Sequence, residues 1–488
     1  MGSSESAEMQ DFYRRRHEAA RNKWKKRFSQ WSWYAVLAEV FLLALWPAGA
    51  TIALLSGILM TVLHFRADRT FQFRHLPFDV PAALFVLISG VSVFVSPDRG
   101  FSFYNWYNLV GVYVLTYLLI GQNVRTAGQF RQVLVAIGAA AVIVVIYGFY
   151  QFLFGIDISA MKWVDGEAFP ELRKRVFSTW ENPNILAGYL DIVICLLFGL
   201  FAKSGSRPKR LILGLLLLAM TACLGMTYAR GACLVIAVIF LLYGMLKDWR
   251  VLLACVVVGG ILLLADPVLY ERLSSVFTKV DTSSEMRLAF WESTLAMIQD
   301  HPFLGIGWGA YWMVYPEYDF YLQGAAIRIV HAHNLYLNYA AEIGIAGAIS
   351  FCWFFFGSMV MALRQKFLPP APEPSEPGPF DLKEEHAADA ELQKVQESVD
   401  SSRPIPTVSL WQDFRNWEDW RLLGGLSLGL GLAILSVALN GFTDDLLFNI
   451  PSSMFLWMMA ALAAAAALLS EEMKPAEECG SDERKVAE

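Results

Sequence analysis

The chain has 488 residues, of which 56% are hydrophobic and only 17% charged, with a net charge of -6 at neutral pH. That balance excludes an ordinary soluble domain and requires lipid as the solvent. The acidic surplus, carried largely by the 368–411 linker and the carboxy-terminal tail, gives no sign of a nucleic-acid partner, and six cysteines without a CxxC pair indicate neither a disulfide framework nor a cysteine metal site.

Residues 1–30 are polar and strongly basic, with Arg14, Arg15, Arg16, Lys23, Lys25, Lys26 and Arg27. They show no cleavable signal peptide. They are expected in the cytoplasm, where they either lie on anionic headgroups or serve only as a topology signal. Apolar runs of about 20 residues, the length that crosses a bilayer core of about 30 Å, then follow at 31–46, 48–65, 78–96, 101–121, 131–154 and 184–202. The second half adds 209–226, 230–246, 250–266, 333–362, 421–443 and 447–469. The expected fold is therefore all-α: a polytopic membrane protein of about 12 transmembrane helices.

Clusters of Arg and Lys at 66–74, 125–131 and 203–210 alternate consistently with a cytoplasmic amino terminus. The same alternation sends two long segments outside, 155–183 and 267–332, the second expected to hold amphipathic helices. Residues 31–363 form the membrane domain. Residues 368–411, rich in Pro and then in acidic and small polar residues, form a disordered cytoplasmic linker. Residues 421–470 give the last two helices, and 471–488 a cytoplasmic tail.

The polar residues that stand out lie on the outer side. Arg173, Lys174 and Arg175 precede Ser178-Thr179-Trp180-Glu181-Asn182-Pro183-Asn184, in which Asn182 is suited to cap a helix and Pro183 to open it. Arg175 either binds an anion or is simply an exception to the charge rule. In Thr227-Tyr228-Ala229-Arg230-Gly231-Ala232, a tight outer hairpin holds Arg230 at the membrane lip, where arginines either snorkel to water or line a polar cavity.

Farther on, Leu288, Trp291, Leu295 and Ile298 recur at helical spacing and predict an interfacial helix, ended by Pro302, with Arg287 near its start. Gly305-Ile306-Gly307-Trp308-Gly309 lacks the βαβ setting of a nucleotide fingerprint and reads as a flexible turn. The aromatics from Trp308 to Tyr321 form either an interfacial belt or a sugar-stacking surface. Finally, Arg328, His331, His333 and Asn334 stand together before the tenth span. Histidine can take a proton from a hydroxyl near neutral pH, and arginine matches phosphate oxygens bidentately. The His-x-His spacing also suits zinc, but no third ligand stands nearby in the sequence.

The motifs Arg175-x-x-Ser178-Thr179-Trp180-x-Asn182-Pro183-Asn184, Thr227-x-x-Arg230-Gly231-Ala232, Arg287 followed by His301-Pro302-Phe303-Leu304-Gly305-Ile306-Gly307, and His331-Ala332-His333-Asn334 together resemble the O-antigen ligase and polymerase superfamily. The resemblance spans about residues 30–470. It implies an inner-membrane glycosyltransferase acting on the outer face, with an undecaprenyl-diphosphate-linked glycan as donor and a lipid or glycan as acceptor, needing no metal and no other cofactor. Arg230, Arg287 and His333 match the family's essential residues. Arg175 matches a basic position, while His331, Arg328 and Asn334 are expected to bind substrate.

The resemblance embraces lipopolysaccharide ligases, polysaccharide polymerases and protein O-oligosaccharyltransferases. The long 267–332 segment favours the ligase. A transporter is the rival class, but the apolar spans look nearly free of charge, whereas transporters place charge near the midplane.

Overall fold

The computed structural model describes residues 2–155, 175–278, 282–321, 329–367 and 418–473. The 368–411 linker, most of the tail, Arg173, Lys174 and Arg328 lie outside the described residues. Within the described residues the chain is helical throughout, with no strand, as expected of a polytopic membrane protein.

The first half holds α1 (Gly2–Leu42), α2 (Pro47–Ala67), α3 (Asp79–Ser92), α4 (Arg99–Asn108), α5 (Leu115–Asn123) and α6 (Ala127–Phe154). Next come α7 (Pro183–Lys203), α8 (Arg207–Met226), α9 (Arg230–Leu246) and α10 (Trp249–Ala265). The outer segment contributes α11 (Pro267–Thr278), α12 (Thr282–Asp300) and the short α13 (Tyr311–Val314). The chain closes with α14 (Leu335–Arg364), α15 (Asp419–Asn440) and α16 (Ile450–Glu472).

Seven of these, α2, α6, α7, α8, α14, α15 and α16, are long and apolar enough to cross a membrane. Three shorter apolar segments, Asp79–Val95, Arg230–Leu246 and Trp249–Ala265, accompany them. The first expected span, 31–46, differs most, because it is the end of a helix that begins at Gly2. The fourth, 101–121, is interrupted by a wider turn at Leu109–Val114.

At the centre lies α7, buried along nearly its whole length. It crosses α15 at glycines: a Cβ on Gly199 would run into the carbonyl of Gly425, and one on Gly429 would lie 2.8 Å from the Leu196 Cα. Without a hydrophobic force between helices in lipid, close approach of small residues is what locks such a pair. This crossing sets the amino-terminal end of α7 beside the carboxy-terminal end of α15.

The spans are less free of charge than the sequence suggested. Glu39, Asp191 and Glu342 are buried within them. Each has a partner on one carboxyl oxygen, while Glu39 Oε2 and Asp191 Oδ1 meet none among the described residues: Thr116 Oγ1 donates to Glu39 at 2.7 Å, Asn440 Nδ2 to Asp191 at 2.8 Å and the Gly309 amide to Glu342 at 3.0 Å. In lipid an unmet polar group costs several kcal/mol, so such groups persist only where they are paired inside the bundle.

The expected flexible turn at 305–309 is instead a clamp. α14 breaks at Gly344, whose φ is 74°, and the carbonyls freed by the break are taken by this loop. The Ile306 amide donates to Ala341 O at 2.8 Å, and the Gly307 amide to Glu342 O at 3.0 Å. Gly305, Gly307 and Gly309 all have positive φ, and a Cβ on Gly305 would meet the backbone at 341–342. The glycines serve close approach to a broken helix rather than mobility.

At the opposite end, basic residues tie loops together. Lys25 pairs with Asp68 at 2.8 Å, Arg74 donates to the carbonyls of Gly121 and Val124, and Arg131 reaches Asp419 at 3.1 Å.

Candidate active site

The amino-terminal ends of α7, α9, α14 and α16 and the carboxy-terminal ends of α8 and α15 converge, and each is shaped by its own sequence. Asn182 caps α7, its side chain accepting from the Asn184 amide at 2.8 Å, with Pro183 in the first turn, as the residue types predict. Asn334 caps α14 by accepting from the amides of Tyr336 and Leu337, both at 3.0 Å, and its Nδ2 donates to Phe442 O. The turn between α8 and α9 is closed by Thr227 Oγ1, which donates to Leu224 O at 2.6 Å and accepts from the Ala229 amide.

Ser178, Glu181, Tyr228 and His333, the non-glycine residues with positive φ among those described, all lie in these outer motifs. Such backbone costs about 1–3 kcal/mol per residue and persists only where its surroundings fix it.

His333 is at the focus. Its Nδ1 lies 3.1 Å from Asp444 Oδ1, in the turn between α15 and α16. The Phe290 ring of α12 stacks on its imidazole at 5.7 Å, with the two planes 21° apart. One turn before Phe290, Arg287 is near enough for its charge to act on both Asp444 and His331. Arg230 begins α9, where a Cβ on the next residue, Gly231, would lie 3.5 Å from Thr443 Oγ1. Both arginines thus approach the turn that carries Asp444.

Arg175 reaches the same cluster differently. Its Nε donates to Thr227 O at 2.8 Å and its Nη2 to Asn184 Oδ1 at 2.7 Å. The Asn184 amide nitrogen lies 3.4 Å from Asp444 Oδ2, completing a path from Arg175 to His333. Two of its nitrogens are therefore spent on protein acceptors, as a brace between the first two outer motifs.

His331 is 5% exposed, packed between the His333 ring and Phe448. Its Nδ1 accepts the backbone N–H of His333 at 3.1 Å. Burial, aided by neighbouring positive charge, drives its pKa down to about 3, so this imidazole is neutral near pH 7. Burial pushes Asp444 upward, but its hydrogen bond to His333 and the nearby positive charges outweigh this and hold the carboxyl well below the usual range. The neighbouring Asp445 goes the other way, raised by burial and by the charge of Asp444 to about 7.

Asp444 is the member the sequence reading missed. It lies in Thr443-Asp444-Asp445, at the end of an apolar span and 111 residues from its partner. Paired carboxylates at an outer span end were the available signal. Arg328 lies outside the described residues and cannot be placed here.

α12 ends at Asp300, as Pro302 predicts. Its inner face carries Phe290, Ser293, Thr294 and Met297, all buried, while Leu288 and Leu295 of the expected apolar stripe stay exposed. Trp291 and Ile298 of the same stripe also pack against protein, so the exposed face of the helix mixes Leu288 and Leu295 with Glu285, Glu292 and Gln299.

A neutral histidine beside the site, an ionised carboxylate on the ring nitrogen of a second, and the nearby positive charge of Arg287 can accept a proton and attract a polyanion. No curated protein matches the chain. Residues 214–352, which include Arg230, Arg287, His331 and His333, match the family model described as O-antigen ligase, and this match supports assigning this polytopic chain to the O-antigen ligase superfamily.

Proposed function

We propose that the protein transfers a glycan from an undecaprenyl-diphosphate carrier to an acceptor hydroxyl at the outer face of the bacterial inner membrane, as an O-antigen ligase. Both termini are then cytoplasmic, with the His333 cluster on the outer side. The observation that carries this reading is the 3.1 Å pairing of His333 Nδ1 with Asp444, on which the charge of Arg287 acts and beside which the start of α9, at Arg230, approaches Thr443.

Asp444 holds the proton on Nδ1, which leaves the lone pair of Nε2 to take the proton of the acceptor hydroxyl. The oxygen then attacks the anomeric carbon from the face opposite the diphosphate, inverting it. The bond to the diphosphate oxygen breaks, and Arg230 and Arg287 stabilise the negative charge that leaves with it. Diphosphate is a good leaving group, so positioning and charge stabilisation supply most of the acceleration.

Ligation to a lipid A core is favoured over polymerisation or protein glycosylation only by the length of the 267–332 segment. The acceptor discriminates among them. Purified protein in liposomes, given lipid-linked glycan and each acceptor class in turn, is expected to use the lipid acceptor. Arg230→Ala and Arg287→Ala should each lose about 100-fold or more in rate. Unimpaired transfer by both variants would refute the role of the arginines, and use of a second lipid-linked glycan alone would make the protein a polymerase.

A further inference from the structure

His331, His333 and Asp444 each offer one ligand atom, and these atoms all lie within 4.8 Å of one another. The missing third ligand of the His-x-His pair is thus supplied by the α15–α16 turn. Two imidazoles and a carboxylate are a donor set that zinc takes readily, and three protein ligands leave its fourth position open. The 3.1 Å separation of His333 Nδ1 and Asp444 Oδ1 is close to the edge of a tetrahedron, about 3.3 Å, for ligand bonds of about 2.0 Å.

Outer partners orient the carboxylate: Oδ1 accepts from the Asp445 amide at 2.9 Å, and Oδ2 faces Asn184 Nδ2 at 3.4 Å. Supporting bonds of this kind are what preorganise metal ligands. The His331 and His333 rings are 4.2 Å apart, and the His333 side chain is 34% exposed, which leaves an ion a way in. Coordination through His331 Nδ1 costs its hydrogen bond from the His333 amide. The charge of Arg287 also opposes a cation, so the ion enters only when zinc is plentiful.

We propose that His331, His333 and Asp444 form an inhibitory zinc site that switches glycan transfer off when it fills. Whichever nitrogen of His333 the ion takes, no free lone pair remains: bound through Nδ1, the ring keeps its proton on Nε2, and bound through Nε2, the lone pair is in the metal bond. The inhibition, though not the binding, rests on the reading of His333 as the base.

The test is calorimetric titration of zinc chloride alone into the purified full chain in detergent, with transfer assayed at each zinc level. Wild type and His75→Ala should bind one ion per chain. His333→Gln and Asp444→Asn, checked as folded by circular dichroism, should bind at least about 10–100-fold more weakly. Wild-type transfer should fall about 100-fold at saturation and return on adding chelator. Absence of stoichiometric binding, or binding that both substitutions leave intact, would overturn the site. Stoichiometric binding with undiminished transfer would overturn the inhibition and the base role of His333. A wild type that binds zinc but transfers no glycan without it would sink the proposed function and leave the metal site standing.

Discussion

Asp444→Asn keeps the shape of the carboxyl but removes the charge that fixes the His333 tautomer. Transfer should fall by about 100-fold or more with little change in donor KM, and the acid limb of the rate profile should move, because Asp444 acts through the histidine. Rate profiles of the purified variant check both. An unshifted profile would mean that the 3.1 Å pairing has no part in the reaction.

His331 and Asp445 should set opposite slopes of stability with pH. The folded pKa of His331, about 3, is below its ordinary 6.5, so the unfolded chain takes the proton first and stability is lost as pH falls from about 6.5 toward 3. Asp445 is raised from 3.8 to about 7, so its stability contribution, full below 3.8, is lost as pH rises through that window. Thermal melts from pH 5 to 8 should show His331→Gln flattening the loss on the acid side, and Asp445→Asn the loss on the alkaline side. At this scale the sequence disclosed His331, His333, Arg230 and Arg287, because charged residues at a membrane lip are conspicuous. It did not disclose Asp444, since contact across 111 residues has no local signature.

Arg175 shows how the elements are fastened. Its guanidinium joins the segment before α7 to the turn before α9, so Arg175→Ala strands Thr227 O and Asn184 Oδ1. A loss of about 2–3 kcal/mol is expected, as for a charged hydrogen-bonding group, and lysine should not restore it, because an ammonium cannot reproduce the two-armed geometry. Melting of the two variants in detergent measures this. The broken α14 makes a second case: Gly344→Ala needs positive φ on alanine and drives its Cβ into Phe303 O, at a cost of at least about 1–3 kcal/mol.

Helix existence was readable from apolar length, and the cap at Asn182 from residue type, whereas Asn334, expected to bind substrate, spends its side-chain oxygen on capping α14. The clamp at 305–309 was not, because glycines that admit a close neighbour and glycines that permit motion look alike in sequence. The stripe of α12 was half legible, because Leu288 and Leu295 stay exposed while Trp291 and Ile298 pack against protein.

For the whole molecule, the proposed orientation, in which the motif end faces outside, rests on the alternation of charge. Lys203 and Phe442, both exposed, lie at opposite ends of the crossing pair α7 and α15. With the native cysteines replaced, Phe442→Cys should react with an impermeant maleimide in cells whose outer membrane is permeabilised, and Lys203→Cys only after lysis. The reverse pattern would invert the topology. Composition alone dictated a membrane protein, but the scattered motifs acquire meaning only when six helix ends bring them together.

The most direct measurement of the central claim counts products. With purified protein in liposomes and an undecaprenyl-diphosphate glycan, one undecaprenyl diphosphate should be released for every glycan joined to acceptor, and His333→Ala should lose both products while its melting transition stays intact. Transfer by His333→Ala at the wild-type rate, or a donor that wild type leaves unconsumed with every acceptor, would contradict the account.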